Sequence, residues 1–277
     1  MVSASTVISP ARYVLGAVLA GLAFVALYLF FVQSYTGQLV DQLAFDGADF
    51  GSRSVTPLTL KLLDLVPAIS AVLGLLLTLV IAAVRRNWST LIVAVGAAGA
   101  AIATTQLLKY LVLDRPDLGV PGYAGNSFPS GHTTVAAASA LAVFLVSSPR
   151  MRPTVGAWGS AFAVAAGLST VANRWHRPSD VIAGLLVVAL WGCVAGAILT
   201  RLQPAGSAVD RPWRAGRLIW IVVPFAVVTG LAFLVTVLRA SGASSETLIA
   251  YIGGMAAIVA AGFSIAVVGT RLFARLQ

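Results

Sequence analysis

Lys109-Tyr110-Leu111-Val112-Leu113-Asp114-Arg115-Pro116 is followed, after twelve residues, by Pro129-Ser130-Gly131-His132. Long apolar runs flank the pair, Trp88–Leu108 before it and Thr133–Ser148 after it. The chain has two histidines. The second stands in a similar setting, Asn173-Arg174-Trp175-His176-Arg177-Pro178-Ser179-Asp180, between the apolar runs Val155–Ala172 and Val181–Thr200. Cationic segments between runs that hold no Asp, Glu, Lys, Arg or His point to a helical membrane protein whose polar chemistry sits in its connectors.

Composition agrees. Of 277 residues, 59% are hydrophobic and 10% charged, and mean hydropathy is +0.94; soluble domains carry roughly 25% charged residues. Besides the four runs named, Tyr13–Val32, Leu65–Val84, Leu218–Leu238 and Thr247–Thr270 are apolar and long. A spanning helix needs about 20 residues. The run Thr133–Ser148 is the shortest, and it borrows length from the Ser-Gly-His before it. Backbone in lipid must satisfy its own hydrogen bonds, so these runs are helices. Gly192 with Gly196, and Gly96 with Gly99, suit close helix packing. The net charge of +9 does not signal nucleic acid, because most arginines flank apolar runs, where they anchor helix ends. Cys193 is alone, so no intrachain disulfide forms.

The expected fold class is all-α, a polytopic membrane helix bundle. Residues 1–202 form a six-span core, 203–216 a polar cytoplasmic linker and 217–277 a two-span C-terminal extension. With the N-terminus cytoplasmic, Arg12, Arg85, Arg86, Arg150, Arg152, Arg201, Arg211, Arg214, Arg217, Arg271 and Arg275 fall inside. Outside the motif segments, only Arg53, Lys61 and Arg239 face them. The positive-inside rule then puts both termini in the cytoplasm of a bacterial-type plasma membrane. The first outer connector, 34–57, carries Asp41, Asp46 and Asp49, with Leu39, Val40 and Leu43 at helical spacing. It is either a short interfacial helix beside the site or a plain loop.

Two spans separate the motif segments, so both histidines lie on one face, the extracytoplasmic one in this topology. Ser130 suits a helix N-cap, and Gly131 leaves room for a ligand near the backbone. Free N–H groups at a helix start favour an anion. Lys109 and Arg115 add cationic donors, and the planar arginine fork matches phosphate oxygens. Arg177 precedes a proline and is pushed out of helical geometry, so the next helix begins near Pro178. Asp180 then lies in its first turn, within reach of His176. A carboxylate on one imidazole nitrogen fixes the tautomer and frees the other nitrogen to attack.

These residues resemble the type-2 phosphatidic acid phosphatase superfamily, which includes membrane lipid phosphatases, bacterial acid phosphatases and vanadium haloperoxidases. Its pattern is Lys-x6-Arg-Pro, Pro-Ser-Gly-His and Ser-Arg-x5-His-x3-Asp. Pro129–His132 matches the second part, and His176 with Asp180 the end of the third. The resemblance implies a phosphatase core with His176 as the nucleophile that becomes phosphohistidine. It makes Asp180 the group that orients His176, and His132 the general acid. Lys109, Arg115, Ser130 and Gly131 would bind phosphoryl oxygens, with no cofactor and no metal. The chain departs from the pattern twice. Lys109 and Arg115 are separated by five residues, so the chain must leave the helix before Arg115. Thr170 stands where the third part has arginine; Arg174 is the expected stand-in, with Arg177 the other candidate.

The expected function is an integral membrane phosphatase hydrolysing a lipid phosphate or polyprenyl diphosphate. Its partners are that lipid and the bilayer, with no nucleic acid. The alternatives are a lipid phosphotransferase and a non-enzymatic lipid-binding or transport protein.

Overall fold

The structure is a computed structural model, and it describes residues 9–49, 57–122, 125–202, 215–239, 244–274 and 276. Most of the expected linker, 203–214, lies outside these residues. The described residues form helices and no strand. In chain order they are α1 (Ala11–Leu27), α2 (Tyr35–Asp46), α3 (Pro57–Arg85), α4 (Trp88–Leu107), α5 (Gly131–Val146), α6 (Arg152–Ala172), α7 (Pro178–Leu202), α8 (Ala215–Arg239) and α9 (Ser244–Leu272). The ends of α1 and α4 widen into π-helical turns, Tyr28–Val32 and Leu108–Val112.

Among the described residues, seven segments are long and apolar enough to cross a membrane. The eighth expected span is α5, with 16 residues, about 24 Å at 1.5 Å per residue. It begins at Gly131, taking in the Gly-His of the motif as expected. This helix is the centre of the bundle, packed by α3, α4, α6 and α7. Ala136, Ala138 and Thr133 are fully buried there, because small side chains let helices crowd together in lipid. The outer helices α1 and α8 instead turn leucines, valines and aromatics outward. Such surfaces are stable against lipid tails.

Arginine satisfies the far end of the bundle. Buried Arg152 donates from Nη1 to the carbonyls of Phe273 (3.1 Å) and Leu276 (2.5 Å), and from Nη2 to Leu145 O (3.1 Å). Arg85 Nη1 donates to Val146 O at 2.6 Å. Helix C-termini leave carbonyls without helical partners and carry partial negative charge, and guanidinium groups answer both.

The connector after α1 is helical from Tyr35 to Asp46, so this part of it is not a plain loop. Ser34 caps α2 by accepting from Gly37 N at 3.1 Å. α2 is no surface ornament: Gln38, Val40, Asp41, Gln42, Leu43 and Ala44 are all buried. It lies against α7 and α9. Gly47, just past its end, sits directly on the Thr247 carbonyl of α9, closer than any side chain permits. Gly254 of α9 meets Pro178 at the start of α7, where an added Cβ would lie 2.5 Å from the ring. The last helix is thus packed into the bundle beside the first turn of α7, and against α6 as well.

Candidate active site

The motif residues gather at one end of the bundle, where α5 and α7 begin. Ser130 is the N-cap of α5; its Oγ accepts from Thr133 N at 3.3 Å. Its own N–H donates to the Asp180 carbonyl at 2.9 Å, which ties the two helix starts together. An added Cβ at Gly131 would meet only Gln106 Nε2, at 3.4 Å, so the backbone stays approachable there.

α6 ends in a turn that aims His176. Trp175 N donates to Thr170 O and Arg174 N to Val171 O, both at 2.9 Å, and Arg174 is left-handed with φ 58°. These are the two bonds of a Schellman turn, a place usually held by glycine. The turn sends the chain back, and His176 N also reaches Thr170 O at 3.3 Å. The His176 ring then lies with its centroid 5.9 Å from that of His132. The Trp175 ring also packs on His132, at 5.2 Å.

Asp180 is the hub. Fully buried, its Oδ2 faces His176 Nδ1 at 3.4 Å and accepts from Ser127 Oγ at 2.5 Å and Arg177 N at 3.0 Å. Its Oδ1 accepts from Arg115 Nη2 at 3.2 Å. In the Nδ1–H tautomer the ring donates to Asp180 Oδ2, and Nε2 is left with its lone pair.

The cations divide. Arg115 reaches Asp180 because the chain leaves the helix after the π-turn; Leu113 is already extended. That is the departure required by the five-residue spacing. Asn126 Nδ2 stitches this bend to the carbonyls of Lys109 (3.2 Å) and Leu113 (3.0 Å). Lys109 lies within the π-turn, half-buried, its ammonium 5.7 Å from the Tyr110 ring centroid and within the field of Asp180. Arg174 turns away. It pairs with Asp49 at 2.5 Å and Asp46 at 3.4 Å on an exposed rim, because its left-handed backbone directs the side chain towards α2. Arg177 is the buried guanidinium. It donates from Nη1 to Ser127 Oγ at 3.2 Å and from Nε and Nη2 to Gln42 Oε1 at 3.1 and 2.8 Å. Burial lowers its pKa from the ordinary arginine value, and the charge of Arg115 adds to that. Thr170 spends its hydroxyl on Gly167 O at 2.8 Å within its own helix.

Three residues the sequence reading gave no role join the cluster. Ser127 bridges Asp180 and Arg177, as above. Gln42 holds Arg177. Asp41 accepts from Ser179 N (3.2 Å) and Oγ (2.5 Å) and lies 3.7 Å from Arg115 Nη2. Burial raises the Asp41 pKa to about 6, against the opposing pull of Arg115 and with Asp180 adding to the rise. The acids of 34–57 were visible as a helix candidate, but no local pattern says which of them turns inward. Among the described residues no cluster of His, Cys, Asp and Glu has the make-up of a metal site.

Fold and site together define an integral membrane helical bundle with a buried histidine, carboxylate and arginine cluster at one end. The PAP2 superfamily model matches residues 90–204, from the start of α4 to just past α7, with both histidines inside. This match supports membership of the PAP2 superfamily and, with it, a membrane phosphatase. Comparisons with curated proteins and with solved structures returned no match.

Proposed function

We propose that the protein hydrolyses a lipid phosphate or polyprenyl diphosphate at the extracytoplasmic membrane surface, through a phosphohistidine at His176. The observation that carries this reading is the pairing of His176 Nδ1 with Asp180, with His132 beside it. His176 Nε2 attacks phosphorus and forms the N–P bond. The bond from phosphorus to the leaving oxygen breaks, the ester oxygen of a lipid monophosphate or the bridging oxygen of a diphosphate, and that oxygen takes a proton from His132. His132, now neutral, removes a proton from water. The water oxygen attacks phosphorus, the N–P bond breaks, and inorganic phosphate leaves. Asp180 keeps the Nδ1 proton throughout and stabilises the positive charge on the ring.

In the transition state negative charge spreads over the phosphoryl oxygens, and fixed cations aimed there do most of the catalysis. Lys109, Arg115 and Arg177 supply that charge, and the backbone at Gly131 supplies N–H donors. Arg177 replaces Arg174 in this role, since Arg174 is engaged by Asp46 and Asp49 on the rim. Transfer to a second lipid acceptor would use the same intermediate, with the acceptor hydroxyl in place of water.

The test is phosphate release by the purified protein from a panel of lipid phosphates and diphosphates. Activity is expected to survive EDTA and to be blocked by vanadate. His176→Ala should abolish turnover and phosphoenzyme. Full activity of His176→Ala, or loss on chelation that zinc restores, would overturn the mechanism. Consumption of substrate without free phosphate would indicate transfer.

A further inference from the structure

Arg177 reaches the site from a short loop, and its guanidinium is buried. An arginine side chain has much rotamer freedom to lose, so a buried fork keeps one direction only where acceptors hold it. The acceptor here comes from α2, more than a hundred residues away in sequence. One carboxamide oxygen of Gln42 takes both Nε and Nη2. The other end of the same carboxamide donates to Asp46 Oδ1 at 3.0 Å, which fixes which end faces Arg177. The third nitrogen, Nη1, is set by Ser127 Oγ, itself bonded to Asp180. The plane of the guanidinium is therefore defined at every nitrogen. Of its five N–H donors, two are left for another acceptor.

Gln42 is neutral, and that matters. A carboxylate in its place would hold the fork equally well, but it would cancel the charge that a phosphoryl group needs. The helix carrying Gln42 is itself fixed at two points. Asp41, the preceding residue, bonds Ser179 at the start of α7. Gly47 rests on the Thr247 carbonyl of α9. α2 is thus braced between the helix that carries Asp180 and the C-terminal helix.

Resting on the phosphatase reading, we propose that Gln42 is a positioning residue of the site. It directs Arg177 at the phosphoryl group without neutralising it, and Asp41 and α9 hold α2 for this task. The consequence is a role for the C-terminal helix in the chemistry of the site, through its packing on α2 and on the start of α7.

The test uses full-length protein in detergent, with vanadate as the probe, and compares Gln42→Leu with Gln42→Glu. Phosphate release, the vanadate inhibition constant and the melting temperature are read together. Loss of a charged hydrogen bond corresponds to roughly 10- to 100-fold, so Gln42→Leu should weaken vanadate inhibition by at least about tenfold. Gln42→Glu keeps an acceptor and adds an ion pair. It should melt at or above the wild-type temperature and still weaken vanadate inhibition by a similar factor. Unchanged vanadate inhibition in either variant overturns the proposal. So does a loss in Gln42→Leu that Gln42→Glu restores, since that is the behaviour of a purely structural bond. A wild-type protein that neither releases phosphate nor responds to vanadate would sink the phosphatase reading itself, a result distinct from active variants with normal inhibition.

Discussion

Arg174 and Arg177 stand three positions apart and both reach α2, their guanidiniums 5.1 and 5.2 Å from the Phe45 ring centroid, but the first is exposed and the second buried. The cause is the left-handed backbone at Arg174, which ends α6 and throws its side chain to the rim. Exposed ion pairs such as those with Asp46 and Asp49 are worth at most about 1 kcal/mol. Arg174→Ala should change turnover by less than about threefold. Arg174→Gly suits the left-handed position better and should shift stability by no more than about 1 kcal/mol, upward if at all. Arg177→Ala removes a buried cation of the proposed phosphoryl site and should cost about 10²–10³-fold in turnover; steady-state phosphate release on the three variants decides. Asp41 makes a different prediction. Its pKa is raised from 3.8 to about 6 in the folded protein, so between those values the folded state binds more protons than the unfolded one. Its contribution to stability is full below about pH 4 and is lost as pH rises through 6. Melting temperatures measured from pH 4 to 7.5 should fall more steeply for the wild type than for Asp41→Asn, which cannot titrate. Equal slopes would show that Asp41 does not titrate in this window.

At the scale of elements, the contact between α9 and the start of α7 is the one most open to attack. Gly254 touches Pro178, two residues before Asp180. Gly254→Val forces branched carbon into that gap, and overpacking of this kind costs about 1–3 kcal/mol. The melting temperature should drop, and turnover should drop with it, because displacing Pro178 moves the carboxylate paired with His176. Gly230, in whose place a side chain would meet nothing within 4 Å, is the control, and Gly230→Val should leave turnover alone. The same element logic governs α5. At 16 residues it is short for a span, yet its interior position gives it neighbours on every side. Its hydropathy marked it as apolar, while its shortness left open how much of the Ser-Gly-His segment joined it.

For the whole molecule, the proposed topology puts the site outside the cell and the Arg85 and Arg152 end inside. Asp117→Cys and Arg150→Cys, each made after Cys193→Ala, should separate the two faces: both positions are exposed, and only the former should react with an impermeant thiol reagent in intact cells. The reverse pattern would invert the topology. What the sequence by itself determined is what depends on local order. Apolar runs of the length of a bilayer must be helices, because lipid offers their backbone no other partner. An even number of spans between His132 and His176 puts both at one end. His176 and Asp180, four positions apart across Pro178, meet within a single helix start. Only the tertiary structure decided which cation joins them, since the left-handed turn at Arg174 and the acceptors on α2 lie 125 to 135 residues apart in the chain. The same holds for Asp41, which reads as one surface acid among three until Ser179 of α7 and Arg115 meet it. Charge and hydropathy are properties of a residue and its neighbours, whereas the direction of a buried fork is set by whatever the fold brings to its far side.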